Sequence, residues 1–431
     1  PIIDMTYVSR LLVNTQNGQK QCFGAMAFDI NSGERTVFLS DSVVLAAGGH
    51  TRIWRRSSSR RDENTGDAMR LALNAGCRLS DMEMVQFHPT GMVHPESLAG
   101  TLVTEAVRGE GGRLTNSNGE RYMEKYDSVR MELSTRDRVA LANYTEISEG
   151  RGTENNGVYL DISHVDKGII LEKLPRMYRQ FMESQMLDIS KHPMEVAPTA
   201  HYSMGGVMVD PETHSTGVNG LYAAGECTSG VHGANRLGGN SLAEILVFGK
   251  IAGDEASEFS KTLDLQTRNR SVIQDAIEEL DKLTTNGEQL ARPLQRAVRD
   301  IMWEYCGVLR SGEGLEKGLE ELMKVKEASA DVDVRPSAEG FSDLALALDL
   351  LGSIDSAEAT IRSAIERKES RGAHQRSDFV ETDTNETVNY VVELVDGKQV
   401  LTRSTVAPLS DELEGPVKAY QELSVGGRLL E

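Results

Sequence analysis

Cysteine is scarce and scattered in this chain of 431 residues: Cys22, Cys77, Cys227 and Cys306 form no Cys-x-x-Cys pair. That spacing excludes a zinc knuckle or a cysteine-ligated iron–sulfur cluster built within the chain, and it suits a reducing compartment. An excess of positive charge is also lacking. The 46 Lys and Arg face 66 Asp and Glu, and the resulting formal charge of −20 argues against a nucleic-acid partner. No stretch approaches the ~18–20 uninterrupted apolar residues of a membrane-spanning helix. No Gly-x-Gly-x-x-Gly fingerprint occurs anywhere in the sequence, and the chain opens on Pro1 inside a strand-rich pattern, so we expect a segment upstream of it.

What is present suffices for sizeable cores, since 39% of the residues are hydrophobic and the length suits two or three domains. Short strand patterns at Tyr7–Val13, Cys22–Ile30, Thr36–Leu39 and Val43–Ala47 are separated by Asn17-Gly18 and Asn31-Ser32-Gly33 turns. The last of them is apolar on both faces and ends at Gly48-Gly49, as a buried strand does where backbone must approach a ligand. A helix is predicted over Asp67–Ala75. A mixed, polar region follows to about Pro198, after which the strand-plus-glycine style returns until Gly253. That return implies an insertion. Beyond it, apolar residues at helical spacing predict helices over Leu263–Leu283, Pro293–Cys306, Leu315–Ala330 and Phe341–Ser370, and then a hairpin turning at Asp396-Gly397.

The glycine-rich stretches also hold the chemistry. His88 precedes Pro89, which restricts where its ring can point. Glu105 and Arg108 sit three apart and can pair if helical. Arg136 stands at a candidate helix start, and His201 lies just before a flexible strand entry. Taken singly, each fits a structural role as well as a functional one. The densest signal is Gly225-Glu226 followed by His232 to Glu244, where two glycines precede a helix capped by Asn240 or Ser241. Such a helix start presents free N–H groups and a positive dipole end to an anion or an electron-rich ring.

In order along the chain, Ala46–Gly49, Asn64–Asp67, Asp81–Gly91, Thr104–Gly112, Thr135–Asp137, His201–Gly206, His232–Leu242 and Arg371–His374 resemble the flavoprotein subunit of succinate dehydrogenase and fumarate reductase, with L-aspartate oxidase as a near relative. The resemblance implies a Rossmann-like α/β FAD-binding domain lacking its amino-terminal part (1–89 and 200–253) and an inserted α+β capping domain (90–199). A helical bundle (254–372) and a small carboxyl-terminal β region (373–431) would follow. It implies succinate or fumarate as substrate, held by His88, Thr104, His201 and Arg236, with charge-assisted bonds from the arginine and the two histidines. Arg136 would transfer the proton, and Glu105 and Arg108 would relay it to solvent. FAD would be contacted by Gly48, Gly49, Asp67, Glu226, Asn235, Ser241 and Leu242, with no metal.

An iron–sulfur subunit and membrane-anchor subunits would be the partners, placing the chain at a membrane periphery on the cytoplasmic or mitochondrial matrix side. Gly238-Gly239 before Asn240-Ser241 favours the succinate/fumarate branch over L-aspartate oxidase. A non-catalytic remnant without its nucleotide-binding half is the alternative from another class. Without the glycine fingerprint, the 431 residues alone are expected to retain flavin poorly.

Overall fold

The computed structural model describes residues 1–60, 62–284, 286–335, 340–384 and 387–425. β1 (Thr6–Gln16), β2 (Gln19–Asp29) and β3 (Arg35–Leu39) form an antiparallel meander, and the short β4 (Val43–Leu45) leads into the glycine pair. α1 (Asp67–Ala75), β5 (Leu79–Ser80) and β6 (Val85–Met92) follow. The inserted region holds α2 (Ala106–Gly109), β7 (Arg113–Thr115), α3 (Met123–Tyr126), α4 (Arg136–Glu146), β8 (Val158–Asp161), α5 (Lys167–Lys173) and α6 (Pro175–Gln185). β9 (Met194–Ser203) returns beside β6, so one sheet of order β6-β9-β8-β7 joins both ends of the insertion. β10 (Gly206–Val207) and β11 (Leu221–Ala223) come next, and β11 runs parallel to β4.

The carboxyl-terminal part is helical, as its apolar spacing predicts, but its boundaries differ from that prediction. α7 (Asn240–Thr262) runs up to the point where the next helix was expected to start, and α8 is confined to Arg270–Leu283. Asn269 caps α8 by accepting the Ser271 N–H, a break that a count of apolar residues cannot register. α9 (Ala291–Tyr305), α10 (Gly312–Ala328) and α11 (Ser342–Glu366) complete the bundle, with α11 ending four residues before the expected Ser370. No helix among the described residues is long and apolar enough to cross a membrane.

The predicted hairpin exists as β12 (Val388–Val395) and β13 (Lys398–Thr405), and α12 (Asp411–Val425) follows it. It is not an isolated unit, because β12 pairs with β5 in a sheet of order β10-β5-β12-β13. The distant carboxyl end thus closes over the strand that leads into β6.

One apolar core joins the first meander to the helices: Leu12, Phe23, Met26 and Phe28 pack with Val298, Met302, Leu315, Leu350 and Ile354. Trp54 seals this seam, donating its indole N–H to the Cys306 carbonyl at 2.9 Å. A separate core within the insertion gathers Val103, Val107, Leu114, Val139, Leu160 and Phe181.

Beneath the first core lies a buried acid pair. Tyr7 Oη donates to Asp349 Oδ1 at 2.8 Å and to Asp67 Oδ1 at 3.1 Å. Burial, then repulsion from Asp67, pushes the Asp349 carboxyl up to about 7, and burial raises Asp67 as well. In the unfolded chain an Asp releases its proton near pH 4. This pair therefore costs the fold nothing at low pH and destabilises it as the pH rises from about 4 towards 7. We expect Asp349→Asn to raise the Tm at pH 8 by a few degrees and to leave it nearly unchanged at pH 4, as measured by calorimetry.

Candidate active site

The β6–β9 pair places the two histidines. Gln86 opposes Tyr202 and Phe87 opposes Ala200, which leaves His201 as the extra residue of a β-bulge that turns its ring toward β6. The rings of His88 and His201 lie edge to face with centroids 5.3 Å apart. Ser58 Oγ shares a hydrogen bond with His201 Nδ1 at 2.8 Å and fixes that ring.

Gln86 and His88 share one face of β6, two residues apart. Gln86 Oε1 accepts from Arg136 at 3.2 Å and from Arg236, also at 3.2 Å. Its amide donates to Asn235 Oδ1 at 2.9 Å and to the Arg236 carbonyl at 2.7 Å. Asn235 in turn donates to Asp137 Oδ1 at 2.8 Å. One amide therefore ties the first residue of α4 to the loop before α7, and it holds two like charges together through a shared acceptor.

Arg136 also donates through Nε and Nη2 to Glu105 Oε2, at 2.8 and 2.6 Å. The other oxygen of Glu105 lies 3.4 Å from Arg108, the i,i+3 pair anticipated from the sequence. The Glu105 side chain is 45% exposed and that of Arg108 is 0% exposed, so Glu105 is the member of this trio that meets water. Arg108 donates backward to the Glu132 carbonyl. Gly238 closes the pocket: a Cβ there would lie 2.9 Å from Arg136 Nη2.

Arg236 is buried, with its guanidinium 4.2 Å above the Tyr202 ring. Tyr202 Oη donates to the Glu244 carboxylate, which also pairs with His232 Nε2 at 2.9 Å. Arg236 Nε is a buried donor without a partner among the described residues, which suits a carboxylate that arrives with the substrate.

In the absence of substrate, the surroundings of both imidazoles disfavour their charged form. Burial, with His201, Arg136 and Arg108 nearby, holds His88 well below the usual histidine range. Burial, Arg236 and Arg136 bring His201 down to about 3. Both rings are neutral at pH 7 before substrate arrives, and the positive charge resides in the guanidiniums.

His88, His201, Arg136, Arg236, Glu105, Arg108 and Asn235 thus converge. Thr104 stands next to Glu105, its hydroxyl accepting the Ala106 N–H at 3.4 Å. Asp67 does not join them, because its carboxylate is engaged by Tyr7 and by Thr65 Oγ1 on the side facing β1 and α11. The start of α7 is as expected, but its cap is Gly239 at φ +86° rather than Asn240 or Ser241, and no side chain caps it.

A Cβ on Gly49 would lie 2.5 Å from Ser203 Oγ and 2.8 Å from Glu226 Oε1, so glycine lets this backbone lie close against both side chains while its N–H donates to Asn64 Oδ1. Glu226 accepts from Asn64 Nδ2 and from the Ser203 N–H, and burial raises its pKa to about 7. The uncapped start of α7 leaves Leu242 and Ile245 exposed beside it. A bare dipole end flanked by exposed apolar side chains suits an electron-rich ring.

Gln86, Tyr202 and Glu244 stand outside the set read from the sequence. The signal for Gln86 was its place two residues before His88 on the same strand face. We expect Gln86→Glu, an isosteric change that sets a carboxylate between the guanidiniums, to raise the KM for a dicarboxylate about tenfold in steady-state assays.

The site sets the Gly48-Gly49 pair and the start of α7 beside a group of arginines and histidines, and the class of protein is an FAD-dependent oxidoreductase. Residues 1–242 match the family model for an FAD binding domain, and residues 295–415 match the fumarate reductase flavoprotein C-term model. The chain belongs to the succinate dehydrogenase/fumarate reductase flavoprotein family, and its cofactor is FAD.

It is 45% identical over 381 residues to a fumarate reductase (CoM/CoB) subunit of Methanothermobacter marburgensis, covering 88% of this chain and 68% of that protein. It is 37% identical over 422 residues to the succinate dehydrogenase flavoprotein subunit of Rickettsia bellii, covering 93% and 69%. Among solved structures, E. coli quinol fumarate reductase aligns with a TM-score of 0.86 at 34% identity, over 95% of this chain and 73% of that one. Mycobacterium smegmatis Sdh1 aligns at 0.84 and 36%, over 97% and 70%. The chain thus spans about two thirds of the length of these curated relatives.

Proposed function

We propose that this chain supplies the dicarboxylate-binding and proton-transfer machinery of an enzyme that interconverts succinate and fumarate, exchanging electrons with an iron–sulfur subunit. Attachment to a membrane periphery, on the cytoplasmic or matrix side, would come through partner subunits. The observation that carries the reading is the pair of guanidiniums on Gln86 Oε1, one with an unpartnered buried donor and the other coupled to an exposed carboxylate.

Bound FAD supplies the two-electron acceptor or donor. Gly48, Gly49, Glu226, Asn235, Ser241 and Leu242 would hold it, whereas the Asp67 carboxylate is engaged by Tyr7 and Thr65. Arg236 and the two neutral imidazoles grip the carboxylates, and the arriving dianion favours protonation of the histidines. Thr104 borders the same carboxylate site.

In this reading Arg136 gives a proton to a carbon of fumarate or takes one from succinate. As a guanidinium it carries the proton that fumarate must receive, and the neutral form left behind must be reprotonated. In the reverse direction the guanidinium must first give up a proton. Glu105, which accepts two N–H bonds from Arg136 and faces water, offers that route, with Arg108 holding its other oxygen. A substrate fixed against Arg136 in near-attack geometry needs little further reorganisation.

The test is turnover by the full-length flavoprotein holoenzyme. We expect succinate oxidation with an artificial acceptor, and fumarate reduction with a reduced dye. The name of the 45% identical relative makes the reductive direction the first to assay. Peroxide production from aspartate, with no turnover of either C4 diacid, would overturn the reading.

A further inference from the structure

The motif Arg371-Gly372-Ala373-His374 lies outside the FAD-binding and capping regions, and no step above uses it. It forms a tight turn just beyond α11, with the Arg371 N–H donating to the His374 carbonyl at 2.8 Å. Its tip is pressed onto the loop that carries Arg236. The Ala373 N–H donates to the Ala234 carbonyl at 2.9 Å, and Ala373 and Ala234 pack with Met84, Tyr202 and Met204.

Gly372 has φ +55°, and a Cβ there would lie 2.3 Å from the Ala234 oxygen. Any other residue must push that carbonyl away, two positions before Arg236.

The turn has rigid support behind it. Arg310 Nη1 donates to His374 Nδ1 at 2.8 Å and to the Glu83 carbonyl at 2.9 Å. His374 Nδ1 is therefore the acceptor, and its Nε2–H donates to the Arg367 carbonyl at 3.2 Å. Burial, with Arg310 and Arg367 beside it, keeps this imidazole neutral. Arg367 bonds Glu83, Asp81 and Glu369, and Asp81 and Glu83 lie just before the strand bearing Gln86 and His88. One buried network thus registers both the strand under the substrate pocket and the loop across from it.

We propose that the Arg371–His374 turn is a positioning element for Arg236: Gly372 and Ala373 set the Ala234 carbonyl, and His374 locks the turn through Arg310 and Arg367. This deepens the reading of Arg236 as a carboxylate ligand and rests on it.

The experiment is steady-state kinetics on the full-length holoenzyme with Gly372→Ala, reading the succinate KM, the malonate inhibition constant, kcat and flavin bound per chain. KM and the malonate constant are expected to rise together by about tenfold, with kcat changed by less than about threefold and flavin unchanged. His374→Ala is expected to raise the same two constants. His374→Gln, which can accept from Arg310 and donate to the Arg367 carbonyl, is expected to restore them.

Wild-type KM and malonate affinity in a folded Gly372→Ala enzyme would overturn the proposal. So would equal loss in the two His374 variants, the result of a merely structural histidine. Arg236→Ala run alongside separates the two ideas: weak binding there with a wild-type Gly372→Ala sinks only the positioning role, whereas unchanged binding in both sinks the carboxylate reading as well.

Discussion

Arg136→Gln in the full-length holoenzyme should lower kcat by at least about 10³-fold, roughly 4 kcal/mol of barrier, while the malonate affinity stays within about fivefold of the parent. The division follows from the contacts of Arg136. Glu105 already accepts two of its N–H bonds, so fewer of its donors are left for a dianion. Its proton has no substitute, because Gln carries none that it can give up at neutral pH. A glutamine also has the reach to keep one bond to Glu105 or to Gln86, so the pocket need not collapse. Single-turnover flavin reoxidation by fumarate is the direct readout. A rate equal to that of the parent would remove Arg136 from the proton step.

Arg236→Ala should act on the other term. Arg236 is buried over Tyr202 with one donor that has no partner among the described residues, and its removal leaves a substrate carboxylate without a cation in a desolvated pocket. Truncating one member of such a pair costs about 3 kcal/mol, so the malonate dissociation constant should rise by ~100-fold. A flavin difference titration measures it. The variant should also show a higher KM in both reaction directions, since the same carboxylate is held in succinate and fumarate. A dissociation constant within about twofold of the parent would mean that the carboxylate is gripped elsewhere.

The residues that could be read from sequence were those whose identity and spacing travel together. His88 with Pro89, Glu105 with Arg108, and Arg236 ahead of a glycine pair are each ambiguous alone, and their order along the chain is what carries the family resemblance. What could not be read depends on the third dimension. Gln86 lies in a matched stretch, yet nothing in a linear string announces that its oxygen is shared by guanidiniums 50 and 150 residues away.

The neutral state of His88 and His201 comes from burial and from neighbouring arginines, neither of which has a local signature. Asp67 sits in a motif beside glycine, but its carboxylate is turned to Tyr7 by a strand 60 residues earlier. The hairpin over 388–405 was recognisable from its alternation, whereas its pairing with β5 is a long-range contact that alternation does not encode. Helix ends were misplaced where a polar cap at Asn269, rather than a change in apolar period, sets the boundary.

The central claim is that a C4 diacid is held between Arg236, the paired imidazoles and Arg136. Its most direct test is a crystal structure of the full-length flavoprotein with FAD and malonate bound. We predict carboxylate oxygens within about 3.2 Å of Arg236 Nε or Nη, and of His88 or His201, with the Arg136 guanidinium facing the central carbon. Malonate lying away from these four side chains, in a crystal with flavin in place, would contradict the account.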